Sequence, residues 1–185
     1  MADQLSAEPE ARIIVIGLGN PILGDDGVGW RVVDTVEAWL LDNRALLCAY
    51  PQVTFERIGV DWLHLMERLI GYDVAIMVDA ASFPGRPEGE VQSCWLDERT
   101  DFVAGPLDSI HDVSLRAALA LGRRFGAALP ASIYAVTIGV RRTDLFGERL
   151  SSAVAAAVPG ATKAVVELLS ILTATAGRAS EEPCL

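Results

Sequence analysis

Apolar and polar positions along the 185-residue chain switch repeatedly between two periods. Arg12–Ile16 (RIIVI) is a β-branched run that stops at a glycine, the pattern of a strand buried on both faces. Val28–Leu41 then repeats apolar residues at Val28, Val32, Val36, Trp39 and Leu40, the spacing of one helix face. The same exchange continues downstream. Val53–Ile58 reads as a strand, Asp61–Ile70 as a helix capped by Asp61, and Val74–Val78 as a buried strand ending at Asp79. Phe83–Gly89 is a turn-rich loop, and Glu90–Leu96 is a fourth strand at an edge. Asp112–Phe125 predicts a helix and Ser132–Val140 a fifth strand. An alanine-rich helix from about Glu148 to Ala174 closes the chain, with Pro159-Gly160 expected to break or kink it.

Strands alternating with helices predict an α/β fold, a mostly parallel sheet covered by helices on both faces. The length suits a single domain over residues 1–185. The ordered core is expected at about residues 11–175, between loose tails at Met1–Pro9 and Gly177–Leu185. In such folds sites gather at the carboxyl ends of strands. That rule selects Asn20 to Asp26 after the first strand, Gly59 after the second and Asp79 at the third.

Composition narrows the partners. The formal net charge is −10, which suits neither nucleic acid nor an anionic membrane and fits a protein that handles a cation or a basic partner. Cys48, Cys94 and Cys184 are odd in number and lack CxxC spacing, which argues against a disulfide framework or a structural zinc. The first residues, MADQLSAEPEA, carry no basic and apolar leader pattern, and no apolar run is read as reaching the ~20 residues of a membrane span. The expectation is a reduced, cytoplasmic protein.

The candidate chemistry begins in the loop IGLGNPILGDDGVG, Ile16 to Gly29. Gly17 and Gly19 fit a dinucleotide fingerprint, but Ile22 stands at the third glycine position. Asp25 and Asp26 would meet a pyrophosphate with two like charges. No GxxxxGK[ST] motif occurs, and Lys163 is the sole lysine. A single carboxylate at a helix start is explained by capping. Two adjacent ones repel, so one is a candidate to face outward for chemistry. Of the two histidines, His64 lies between Leu63 and Leu65 within a helix, a surface or half-buried position. His111, in PLDSIHDVSL, sits at a polar junction just before the third helix. It is either a neighbour of the helix cap or a ligand. Joined to Asp26 and Asp79 it gives a mixed oxygen and nitrogen set suited to nickel or zinc, with coordination positions left open.

These residues resemble a known family, the [NiFe]-hydrogenase maturation endopeptidases. IIVIGLGNPILGDDGVGWRVVDTV is similar to that family's opening GxGNxLxxDDGxG and helix. AIMVDAA is similar to its third strand, and SIHDVSLRAAL to its SxHxxxL segment. The likeness runs from about Arg12 to Val140 in the family's order. It implies a twisted, mostly parallel five-stranded sheet between helices, a three-layer αβα fold of the phosphorylase/hydrolase-like kind. It further implies an endopeptidase that removes the C-terminal extension of a hydrogenase large-subunit precursor after nickel insertion. The resemblance assigns Asp26, Asp79 and His111 as catalytic and metal-contacting residues. Nickel would arrive in the substrate, and zinc or cadmium would fit the same donors. Gly19, Asn20, Asp25 and Gly59 would line the substrate, with Gly19 and Asn20 also shaping the loop. The partner is the nickel-loaded precursor, and the protein is expected to be a monomer. The metal would polarise the scissile carbonyl or activate water, or else Asp26 or Asp79 would act as general base. Neither HExxH nor GxSxG occurs. Many members carry a proline shortly after the fifth strand's glycine, whereas this chain reads IGVRRTDLFGERL. The segment from Gly139 to Leu150 is therefore expected to be built differently, with consequences for which large subunit is recognised.

Two rivals remain at this stage. IVIGLGNP also resembles the start of peptidyl-tRNA hydrolase, but that family's following histidine segment is missing here. A nickel- and precursor-binding chaperone that does not cleave would need the same three residues.

Overall fold

The structure, a computed structural model, describes residues 11–43, 52–59, 62–82, 85–96 and 110–178, with side chains for all of these except 62, 110–116 and 174–178. In chain order the described elements are β1 (Ile13–Leu18), α1 (Val28–Asp42), β2 (Val53–Ile58), α2 (Trp62–Leu69), β3 (Val74–Ala81), β4 (Val91–Leu96), α3 (Ile110–Arg124), β5 (Ser132–Gly139) and α4 (Ser152–Arg178). The strands form one sheet in the order β2-β1-β3-β5-β4. Four are parallel, and β4 runs antiparallel to β5 at the edge. The chain winds outward from β1 to β2 and then crosses to β3 on β1's other side. The sheet therefore changes winding direction between β1 and β3, and a crevice opens beyond their carboxyl ends.

Alternation along the strands sorts side chains onto two faces. Ile13, Val15, Ile76, Val78, Val136 and Ile138 point to the face packed by α1 and α4. Ile14, Ile16, Ala75, Met77 and Ile133 point to the other face, packed with Leu65 and Leu69 of α2 and Leu119 of α3. Both sets are almost wholly removed from water. Each large aliphatic side chain so buried contributes about 1.5–3 kcal/mol.

Several boundaries differ from the sequence reading, each for a local reason. β3 continues past Asp79 to Ala81 because β5 stays paired with it as far as Gly139. Asp79 therefore stands inside its strand. β1 pairs with β3 only as far as Val78, so Asp79 is the first residue of β3 beyond that ladder. α3 starts at Ile110, which puts His111 in its first turn and not ahead of the helix. α4 starts at Ser152, later than expected, and runs through Pro159 to Arg178, past the Gly177 expected to begin the tail. Pro159 is exposed, and so is Ala155, whose carbonyl loses its helical partner; water can satisfy that oxygen, so the helix continues. Ser152–Thr173 is long and apolar enough, by length and composition, to cross a membrane, contrary to the reading that no such run exists. Yet Val154, Ala157, Ala161, Val165 and Leu169 recur along one face of it and lie in the core against α1. The expected tail Met1–Pro9, Cys48 and Cys184 lie outside the described residues. Cys94 is half-buried on β4 and forms no disulfide among the described residues.

Candidate functional site

The site is built where β1 hands over to α1. The strand and the helix approach so closely that side chains are excluded. A Cβ on Gly29, in the first turn of α1, would lie 2.4 Å from the carbonyl oxygens of both Leu18 and Val78. Gly29 thus supplies the close packing that the dinucleotide fingerprint draws from its third glycine. Between strand and helix the chain makes a short 3-10 turn, Gly24–Gly27, which carries both aspartates. Gly19 adopts φ +114°, and a Cβ there would strike the Asp26 carbonyl oxygen at 1.9 Å. Only glycine satisfies both conditions.

That turn gives the adjacent carboxylates different surroundings. Asp26 is 9% exposed, and its Oδ2 accepts a hydrogen bond from the Asn20 backbone N–H at 2.7 Å. The Asn20 side chain turns back on its own loop, its Oδ1 accepting from the Ile22 N–H at 3.2 Å. Asp25 points the other way. Its Oδ1 accepts from the Ser151 N–H at 2.6 Å, at the start of α4. The Ser151 hydroxyl donates to Glu88 (3.0 Å) and accepts from the Val154 N–H (3.5 Å), so Ser151 caps α4. Asp25 is tied to the scaffold by this bond, whereas Asp26 lies at the crevice.

Asp79 meets Asp26 there. Alternation puts the Asp79 side chain on the α2/α3 face, between Val78 and Ala80 of the opposite face. Its carboxyl is pushed up to about 7, first by burial and then by the nearby charge of Asp26, with a backbone hydrogen bond at Ala80 pulling the other way. Burial and the neighbouring carboxylate thus both favour the neutral form of Asp79. Next to Asp79 in register stands Thr137 of β5, 1% exposed and on the same face. Arg86, with a side chain 6% exposed, donates to Thr137 Oγ1 from both Nη1 and Nη2 at 3.2 Å, and burial lowers its pKa. Arg86 sits among the turn residues FPGRPEG, where periodicity gives it no role. Its signal there was an arginine in an otherwise small and turn-forming stretch.

The remaining expected residues fall as follows. His111 lies on α3, in the turn farthest from the one that leads into β5; only its backbone is described. Gly59 is exposed after β2, with open space where a side chain would be. His64 is exposed on α2. Among the described residues no three His, Cys, Asp or Glu side chains converge as a metal cluster. The described part of the candidate set is the Asp26–Asp79 pair, two hard oxygen donors that fit a divalent ion and leave its other positions to further ligands.

No family model matches the chain. It is 25% identical over 167 residues to the hydrogenase expression/formation protein HupD of Thiocapsa roseopersicina, covering 90% of this chain and 70% of that one. Its fold is similar to that of the hydrogenase maturating endopeptidase HybD from E. coli, with a TM-score of 0.66 at 20% identity over 86% of this chain and 92% of the other. A hydrogenase 2 maturation peptidase from a Thaumarchaeota archaeon (SCGC_AB-539-E09) gives a TM-score of 0.57 at 26% identity, over 85% and 97% of the two chains. The chain is thus similar in sequence to hydrogenase expression/formation proteins and in fold to hydrogenase maturation endopeptidases.

Proposed function

We propose that this chain is a processing endopeptidase. It removes the C-terminal extension of a [NiFe]-hydrogenase large-subunit precursor once nickel is in place, and nickel held by the precursor is the feature it recognises. The observation that carries this reading is the Asp26–Asp79 pair at the crevice between β1 and β3, with the Asp79 carboxyl raised to about 7. A buried pair of like charges is costly on its own and becomes favourable when a cation joins it. Nickel enters as part of the substrate, with Asp26, Asp79 and His111 completing its coordination and fixing the scissile peptide beside it. The ion polarises the carbonyl under attack or lowers the pKa of a bound water. In the alternative arrangement one carboxylate, Asp26 or Asp79, stays off the ion and acts as general base, taking the proton of the attacking water and returning it to the leaving amine. The reading places the protein in the cytoplasm as a monomer.

The test is cleavage of nickel-loaded and nickel-free precursor by the wild type and by Asp26→Ala, Asp79→Ala and His111→Ala. The wild type should release the C-terminal peptide from loaded precursor alone. Each variant should remain folded and lose roughly 10²–10⁴-fold in rate. Normal cleavage by all three would remove the site assignment, and binding without release by the wild type would make the protein a chaperone.

A further inference from the structure

The loop after β5 holds its largest side chains in water. Leu145 is 53% and Phe146 86% exposed. Beside them in the fold is Ile22, 49% exposed, in the turn that leads to Asp26. The backbone joins these two stretches. The Gly24 N–H donates to the Gly147 carbonyl at 2.6 Å, and the Gly147 N–H donates to the Ile22 carbonyl at 3.0 Å, forming an isolated parallel bridge at Leu23 and Gly147. A further bond runs from Arg31 to the Glu148 carbonyl at 3.4 Å. Three large apolar side chains are thereby gathered at the mouth of the crevice.

Three arginines stand on this loop. Arg141 is paired with Glu88 at 3.2 Å and Arg142 with Asp144 at 2.9 Å, whereas Arg149 has no ion-pair partner among the described residues and is the charge left to meet an acidic group. An apolar cluster rimmed by charge is the composition of a protein-binding surface. It borders the carboxylate pair, because Ile22 and Asp26 belong to one turn.

We propose that Ile22, Leu145 and Phe146 dock an apolar, acid-flanked segment of the precursor polypeptide and so hold it while its extension is cut at Asp26 and Asp79. This rests on the endopeptidase reading and adds to it the surface that selects the substrate. Contacts remote from the scissile bond, made equally in ground and transition states, lower KM and leave kcat alone.

The experiment measures KM, kcat and binding affinity for nickel-loaded precursor with the wild type, the Leu145→Ser/Phe146→Ser double variant, Arg149→Glu and Phe125→Ser. Phe125 is 80% exposed just beyond α3, on the way into β5 at the opposite end of the sheet, and serves as the control. The double variant should raise KM about tenfold or more at unchanged kcat and melting temperature, with a rise of about two- to fivefold for Arg149→Glu and none for Phe125→Ser. Unchanged KM in the double variant, while the wild type cleaves, would overturn the docking surface and leave the endopeptidase reading standing. If the wild type binds without cleaving, the endopeptidase reading fails and affinity decides: weaker binding by the double variant supports the surface. If the wild type neither binds nor cleaves, both readings fall. A wild-type dimer that the double variant converts to monomer would assign the surface to a second copy of the chain and overturn the proposal.

Discussion

The two faces of the sheet solve different problems with the same strands. On the α1/α4 side, β3 presents Ile76, Val78 and Ala80, and β5 presents Val136 and Ile138, an unbroken apolar layer up to the carboxyl edge. On the α2/α3 side the same strands present Ala75 and Met77, then Asp79, and Ile133, then Thr137. The apolar layer there stops short, and polar groups fill its last row. A parallel sheet covered on both faces has no solvated side on which to place chemistry. This one places it at the end of a single face, where the winding changes direction.

That contrast can be tested by substitutions three residues apart on β3. Ile76→Ala should cost about 2–5 kcal/mol in denaturant unfolding at any pH, because a fully buried side chain leaves a cavity. Asp79→Asn should do the reverse. The folded protein holds the Asp79 proton up to about pH 7, while the unfolded chain releases it near 3.8. The protonated form is the one that folding favours, so its contribution is complete below about pH 4 and is lost as pH rises through 7. Asp79→Asn should therefore gain on the order of 2–4 kcal/mol at pH 8 and almost nothing at pH 4. Equal effects at both pH values would show that the carboxyl is not held as described. The smallest effect is expected at the neighbouring aspartate. Asp25→Ala removes one charged acceptor from the start of α4 and should cost about 1 kcal/mol in thermal unfolding. It should slow processing far less than Asp26→Ala; equal losses of activity would place Asp25 in the chemistry.

The strands were legible because burial on both faces writes itself as continuous β-branched runs, and the edge strand β4 because its run mixes polar with apolar residues. The Asp25–Asp26 pair was legible as one carboxylate more than capping explains, and Asp79 as a charge closing an apolar run; the choice of Asp26 came from the family resemblance. Long-range ties were not. Nothing local to Asp25 announces a bond to Ser151, 126 positions away, so the two aspartates could be divided into scaffold and site only in three dimensions. The start of α4 was misplaced for the same reason. The sequence placed the helix start at about Glu148, yet the backbone of the preceding Gly147 is engaged with the turn at Ile22–Gly24 and the helix begins only at Ser152. The start of α3 slipped because acidic Asp112 resembles a cap, while the helix begins two residues earlier.

The Leu23–Gly147 bridge sets a rule for how such proteins can diverge. One residue inserted or deleted between β5 and Gly147 would drag the aspartate-bearing turn with it, since the two loops are spliced at that point. Substitution at 145–146 would change what the tip holds and leave that splice intact, whereas a change of length would be felt at the carboxylates.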